Sequence, residues 1–253
     1  MARVEPVVGE PAAVADLGGE RALLVADVHA GIEVGLRYER GVELDSRADA
    51  RRERLCDLVA ETDADRLVVL GDLAHRIGAP DGDERDELET LITAVTDRVP
   101  MTLVEGNHDA GVAEAFSDDL DVIGAGGGVL GDTVAVCHGH TWPDLELLDA
   151  DVVCMGHEHP QVRLEDAVGG SRVERAWLRG ALDPAAFVED GGYKEYGADP
   201  PELVVFPAFN ERSGGTWVNV EGQSFLAPFL PAALPTGDAY LLDGTRLGEY
   251  RRV

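Results

Sequence analysis

Asp27-Val28-His29, Gly71-Asp72-Leu73-Ala74-His75, Gly106-Asn107-His108-Asp109, His138-Gly139-His140 and Gly156-His157-Glu158-His159 together contain all seven histidines of this 253-residue chain. Histidine spent only in blocks that also offer carboxylate and amide oxygens is the pattern of a two-metal site. Asp27 and His29 stand two residues apart, so just past a strand end both can face one ion. A carboxylate with an imidazole suits Mn²⁺ best, and Fe, Zn²⁺ or Ni²⁺ accept the same mixed donors. Asp72 offers two oxygens and could bridge ions about 3.5 to 4 Å apart. Asn107 adds a neutral carbonyl oxygen, and His138, His157 and His159 complete a set of oxygen and nitrogen ligands. Two divalent ions bring +4, two carboxylates and a shared hydroxide remove three, and roughly +1 is left to attract a phosphate. A lone histidine at a strand end is more often a structural hydrogen-bond donor, and could also cap a following helix; five such blocks in series argue for ligation instead.

The elements that must carry these blocks can be read from the runs before them. ALLVA precedes Asp27, RLVVL precedes Gly71, MTLVE precedes Gly106, TVAVC precedes His138 and DVVCM precedes Gly156, each an apolar run of strand type. Residues Arg47 to Glu61 place Ala48, Leu55, Leu58 and Val59 on one helical face, and Asp83 to Arg98 do the same with Leu88, Leu91, Ile92 and Val95. Strand, helix, strand, helix, strand from Arg21 onward predicts a largely parallel sheet, whose strand ends form the usual place for a site. After Gly106 short strands follow Gly-rich turns, at Asp121 to Ile123, Gly128 to Leu130, Thr133 to Cys137, Val152 to Met155, Val162 to Leu164 and Val173 to Leu178. That texture predicts hairpins and meanders. Ala79 to Asp86 reads as a loop ending in a helix N-cap, Asp190 to Pro201 as a lid or disordered loop, and Pro228 to Thr236, with three prolines, as an extended surface wrap.

Composition bounds the rest. A net charge of −28 arises from 49 acidic against 21 basic residues, and Lys194 is the sole lysine. With 45% hydrophobic residues in regular periods, disorder does not explain that charge; a surface adapted to concentrated salt does. Such a surface repels nucleic acid at ordinary ionic strength. Cys56, Cys137 and Cys154 have no disulfide or zinc spacing and read as buried thiols in a reducing compartment. No apolar stretch nears the roughly 20 residues of a membrane span, and the amino terminus lacks a signal-peptide order, so a cytoplasmic protein with no membrane partner is expected.

The ordered set DxH, GDxxH, GNHD, HGH and GHxH resembles the calcineurin-like metallophosphoesterases. That resemblance implies a four-layer αββα sandwich with two facing mixed β-sheets, in one domain over residues 1–253. It implies that Asp27, His29, Asp72 and His159 hold one ion and that Asp72, Asn107, His138 and His157 hold the other. His108, oriented by Asp109, would be the acid or electrostatic partner of the substrate phosphate. His75 and His140 would support the ligands or touch substrate. Arg37, three residues from Arg40 on one helical face, could meet a phosphate, although a solvated charge is the commoner role. Trp142 could stack a base, but core packing is the expected use.

ADVHAGIEVGLRYERG from Ala26, Trp177-Leu178-Arg179-Gly180 and Pro207-Ala208-Phe209-Asn210 followed by Gly214-Gly215 are similar to the bacterial and archaeal phosphoesterases that include the ligase-associated DNA damage response endonucleases. Glu33 departs from that subgroup, whose bacterial members tend to carry lysine there. The similarity implies hydrolysis of a phosphodiester, DNA foremost, by in-line attack of a hydroxide shared between two ions, with DNA repair proteins as partners. Two other readings stay open: an enzyme for small phosphodiesters or nucleotide pyrophosphates, and a metal-binding scaffold without catalysis.

Overall fold

Alternation in Arg21–Val25 sends Leu23 and Val25 to one side and Ala22 and Leu24 to the other, and all four are buried. A strand buried on both faces belongs in the middle of a covered sheet. In the computed structural model, which describes residues 4–166, 168–187 and 200–253, this strand (β3) is the third of six. β1 (Val4–Pro6), β2 (Ala12–Asp16), β3, β4 (Arg66–Val69), β5 (Met101–Val104) and β6 (Asp121–Ile123) lie side by side in sequence order. β1–β2 and β2–β3 are antiparallel, and β3 through β6 are parallel. The parallel crossovers are α1 (Ile32–Arg40) with α2 (Ala48–Glu61), then α3 (Gly82–Thr96), then α4 (Ala110–Ala115).

The second sheet runs β14 (Arg246–Glu249), β13 (Asp238–Leu241), β11 (Ser171–Ala181), β12 (Glu202–Val205), β9 (Val152–Met155), β8 (Val134–Cys137) and β7 (Gly128–Leu130), with β10 (Gln161–Glu165) paired to β11. The expected hairpins form at β7–β8 and β10–β11. Between β8 and β9, however, the meander expectation is corrected: these strands are parallel, as are β9 and β12. The reason is burial, since every residue of β8 and β9 is covered on both faces and such strands take the sheet centre.

Three apolar layers follow. Leu23, Val25, Leu67 and Val69 pack under Leu55, Leu58, Leu88 and Leu91 of α2 and α3. Leu24, Val68, Leu70 and Val104 face Val136, Cys154, Trp177 and Phe206 across the gap between the sheets. Outside the second sheet, Leu147, Leu148, Phe187, Phe229 and Tyr250 from 3₁₀ turns and loops form the remaining cover. The architecture is two mixed sheets with flanking helices, in four layers. Trp142 fills that outer layer beside Phe187, ring centroids 5.5 Å apart, as core packing predicts.

Two loop readings need revision. The 228–236 tract does not run extended: Ala233 N–H donates to Phe229 and Leu234 N–H to Pro231, and the turns so formed drive Phe229, Leu230, Ala233 and Leu234 into the core. Apolar side chains between the prolines outweigh the polyproline preference. The helix expected after 79–86 starts inside it, at Gly82, and Asp81 pairs with Arg76 instead of capping. Most of the lid read at 190–201 lies outside the described residues. The three cysteines are buried and unpaired, and among the described residues no helix is long and apolar enough to cross a membrane.

Asp81 before α3, Asp83, Asp86 and Glu89 along it, Glu114 in α4, and Asp118 and Asp119 beyond α4 are all exposed. Screening of such clusters should stabilise the fold. The unfolding temperature is expected to rise by about 10 °C or more from dilute buffer to molar KCl, as relief of several kcal/mol shifts a domain of this size by about 2–4 °C per kcal/mol. Equal melting in both conditions would remove salt adaptation as the reason for the charge.

Candidate metal centre

Parallel pairing brings the strand ends into line: Val25 lies opposite Val69, Val69 opposite Leu103, and Cys137 opposite Met155. The five blocks therefore leave the two sheets at one common edge. Their backbone is unusual there. Asp27 (φ 57°), His29 (φ 46°), Asp72 (φ 52°), His157 (φ 69°) and His159 (φ 44°) are all left-handed, and Asp63 is the one other non-glycine residue so placed among the described residues. Each costs on the order of 1–3 kcal/mol and persists only where surroundings enforce it.

The enforcing bonds are visible. Asp27 N–H donates to Gly71, His29 N–H to Asp72 and Ala30 N–H to Leu73, zipping the β3 and β4 loops together. Asp109, fully buried, accepts from the amides of Leu73 (2.9 Å) and Gly106 (3.0 Å), tying the β4 loop to the β5 loop. Asn210 donates its side-chain amide to the carbonyls of Val28 (2.9 Å) and His29 (3.3 Å). Glycine is required at two close approaches: a Cβ on Gly71 would fall 2.2 Å from His138 Nδ1, and one on Gly106 2.3 Å from an Asp72 carboxylate oxygen.

The histidine rings are oriented by the backbone. His138 Nδ1 lies 2.8 Å from the Leu70 carbonyl, His159 Nδ1 2.8 Å from Gly214 and His29 Nδ1 3.4 Å from Ala74. A carbonyl only accepts, so each Nδ1 carries the hydrogen and each Nε2 is turned to the centre. His29 Nε2 and His159 Nε2 face one another at 3.4 Å. Asp27 comes within 3.1 Å of His159 Nε2, and Asp72 within 3.4 Å of His138 Nε2 and 3.9 Å of His29 Nε2. Asn107 Oδ1 is 3.2 Å from His138 Nε2. Donor atoms of Asp27, His29 and His159 lie within 4.8 Å of one another, as do those of Asp72, His138 and His157 and those of His29, Asp72 and His108. Two lone pairs pointed at each other are repulsive unless a proton or a metal cation sits between them, and the carboxylates of Asp27 and Asp72 beside them favour either. The donor set thus fits divalent ions.

Titration follows the same geometry. Burial depresses His29 to about 4, and burial together with His138 depresses His157 to about 4. On His138, burial disfavours charge, but the hydrogen bond and charge of Asp72, joined by Asp27, outweigh it and lift the imidazole to about 9. Burial opposes charge on Asp27 and Asp72 too, and His159 and His138 overcome it, holding both carboxyls below their usual range. Asp109 is pushed up to about 6 by burial and by Asp72.

His138 is therefore charged at neutral pH when no cation is bound, whereas a ligand imidazole must be neutral. Its raised pKa stabilises the cation-free fold fully below about pH 6.5, and that contribution is lost as pH rises through about 9. Loading a divalent ion at neutral pH is expected to release at least one proton, read by calorimetry in buffers of different ionisation enthalpy. Release unchanged in His138→Gln would assign the proton elsewhere.

The structure brings Asp27, His29, Asp72, Asn107, His138, His157 and His159 to this edge. His108 joins them, Nε2 3.7 Å from Asp72, with its Nδ1 donating to the His75 carbonyl. The expectation that Asp109 orients His108 is corrected, because the Asp109 carboxylate is spent on backbone amides. His75 and His140 flank the centre, ring centroids 5.4 Å from His29 and 5.3 Å from His138, and each has a buried Nδ1 without a partner among the described residues. Arg37 stands apart from these contacts, half-exposed and 4.0 Å from Asp83. Sequence reading missed Glu158, which is buried and accepts from Thr216, Leu226 and Ala227, anchoring the segment that supplies Gly214 to His159. It also missed why Glu33 replaces lysine: Glu33 is buried between Arg51 and Arg212, 2.9 Å from each.

A family profile described as calcineurin-like phosphoesterase matches residues 20–161, which span all five blocks. The nuclease MPE of Pseudomonas putida is similar in structure, with a TM-score of 0.56 and 22% identity over 95% of this chain and 97% of that one. Yfce, a phosphoesterase from E. coli, matches with a TM-score of 0.41 and 17% identity over 90% of this chain and 97% of its own. No curated protein matches the sequence.

Proposed function

Because the chain belongs to the calcineurin-like phosphoesterase family, a family of metal-dependent hydrolases, we propose that it is a two-metal phosphodiesterase whose substrate is nucleic acid. The observation that carries this reading is the facing pair of His29 Nε2 and His159 Nε2, 3.4 Å apart with both Nδ1 hydrogens turned away, beside the carboxylates of Asp27 and Asp72. Asp27, His29, Asp72 and His159 would hold one ion, and Asp72, Asn107, His138 and His157 the other. Mn²⁺ fits the mixed oxygen and nitrogen donors, and Fe, Zn²⁺ and Ni²⁺ share that preference. Divalent ions held there supply Lewis acidity and lower the pKa of a water at the centre.

The protein's own groups do the rest. His108 keeps its Nδ1 hydrogen on the His75 carbonyl, so Nε2 is the atom free to hold a proton beside a phosphoryl oxygen or pass it to the leaving oxygen. Asp109 holds the β4 and β5 loops in register, which fixes Asp72 and Asn107. Asn210 fixes the His29 loop. The choice of a nucleic acid substrate is supported by the similarity to a protein described as a nuclease. The test is a hydrolysis panel with Mn²⁺ at high salt, comparing a chromogenic diester, a monoester, single-stranded DNA and duplex DNA. DNA cleavage that chelation removes is the expected result. Turnover of the small diester alone would reassign the substrate, and two bound ions without turnover would mark a scaffold.

A further inference from the structure

Arg47, Arg51 and Arg54 are spaced four and three apart, which puts them on one face at the start of α2. Opposite stands the segment Phe209-Asn210-Glu211-Arg212, and between them lies a recess of about 70 Å³ lined by four arginines and two glutamates. In a chain of net charge −28 this gathering of guanidinium groups is unusual. How each is occupied decides what the recess can do.

Arg51 is spent on Glu33 and Glu87, at 2.9 and 2.6 Å. Arg54 gives Nε to Glu10 at 2.6 Å and leaves Nη1 3.6 Å from Glu211, with its guanidinium plane over the Phe209 ring, 4.9 Å from the centroid. Arg212 commits Nη1 to Glu33 and to the Asp45 carbonyl, while its Nε and Nη2 have no hydrogen-bond partner among the described residues. Among the described residues the Arg47 guanidinium has only Glu211, at 3.7 Å, beyond hydrogen-bond range. Two guanidinium groups with spare donors, Arg47 and Arg54, thus share one carboxylate, Glu211, which is 55% exposed and held by neither at bonding distance, and Arg212 adds its free donors to the same lining. That carboxylate stands where the oxygens of a bound anion would stand.

We propose that this recess binds a phosphate group, which displaces the Glu211 carboxylate from Arg47 and Arg54. Planar guanidinium forks match phosphate oxygens in geometry and remain charged at any working pH. The site is linked to the metal centre through Asn210, which lines the recess and donates to the carbonyls of Val28 and His29. Resting on the phosphodiesterase reading, the occupant is a non-scissile phosphate of an extended strand. Free phosphate is the other source of the same chemistry.

The experiment titrates inorganic phosphate into the full chain by calorimetry, with chelator present so that no divalent ion contributes. Arg47 is 60% exposed, so Arg47→Ser leaves the fold intact, as an unchanged unfolding temperature would verify. Its affinity for phosphate should fall about tenfold, the loss of one charge-assisted hydrogen bond. Glu211→Gln, which keeps shape but removes the competing charge, should shift affinity the other way by several-fold. An Arg47→Ser affinity equal to wild type, or weaker binding in Glu211→Gln, overturns the site.

The source is then read with Mn²⁺ loaded. A strand phosphate predicts that Arg47→Ser raises the KM of a 12-nucleotide single strand about tenfold relative to that of a small chromogenic diester. An unchanged ratio assigns the recess to free phosphate. Should the chain hydrolyse no diester, the enzymatic reading fails by itself and the calorimetric result still decides the recess.

Discussion

Asp72→Ala is expected to abolish diester hydrolysis, a fall of about 10³-fold or more, equivalent to roughly 4 kcal/mol of lost transition-state stabilisation. The expectation rests on its two oxygens serving different neighbours. Oδ1 is 3.4 Å from His138 Nε2, whereas Oδ2 is 3.9 Å from His29 Nε2 and 3.7 Å from His108 Nε2. Asp72 is also common to two of the three donor groups. Removing it should loosen both ions together, so elemental analysis should find the purified variant depleted of metal in step with its activity. Since Oδ1 also accepts from the His108 amide at 3.1 Å, Asp72→Asn serves as the companion that keeps an acceptor while losing the charge. Either variant retaining the full metal content of the wild type would refute the bridging role.

His108→Ala should separate the two properties that Asp72→Ala joins. Its Nδ1 is committed to a backbone carbonyl and its Nε2 lies at the rim, in the one donor group that repeats His29 and Asp72. As a group acting on the phosphate, it should keep most of the metal while losing about 10² to 10⁴ in turnover. A leaving group that needs no proton should restore part of the rate. Loss of metal in proportion to activity would make His108 a ligand instead.

The blocks that carry this chemistry were legible because both their signals are local. Strand-type runs end where the ligands begin, so β3, β4, β5, β8 and β9 could be read from local pattern, as could the helices, expected over 47–61 and 83–98 and found over 48–61 and 82–96. What stayed hidden depends on partners far away in the chain. Nothing in Asp27, His29, Asp72, His157 or His159 announces a left-handed backbone, since that conformation is imposed by neighbouring loops and not by a glycine. Asp109 beside His108 invites the reading of an acid orienting a base, yet its carboxylate goes to amides from two strands' loops. Arg51 looks like solvent-facing charge on an amphipathic helix, and only the fold reveals Glu33 and Glu87 waiting inside. Parallel pairing of β8 with β9 escaped for a similar reason, as short strands near glycines suggest hairpins until both faces are known to be buried.

The division of donors between the sheets has a bearing on how the molecule is assembled. Asp27, His29, Asp72 and Asn107 follow strands of the first sheet, whereas His138, His157 and His159 follow strands of the second. A nascent chain that has completed only its first 110 residues owns three of the four donors proposed for one ion and two of the four proposed for the other, and completes neither set. Tight binding at the proposed site would begin once the two sheets have docked through the layer of Leu24, Val68, Val136 and Phe206. Metal would then act as a late rivet, slowing unfolding far more than it speeds folding.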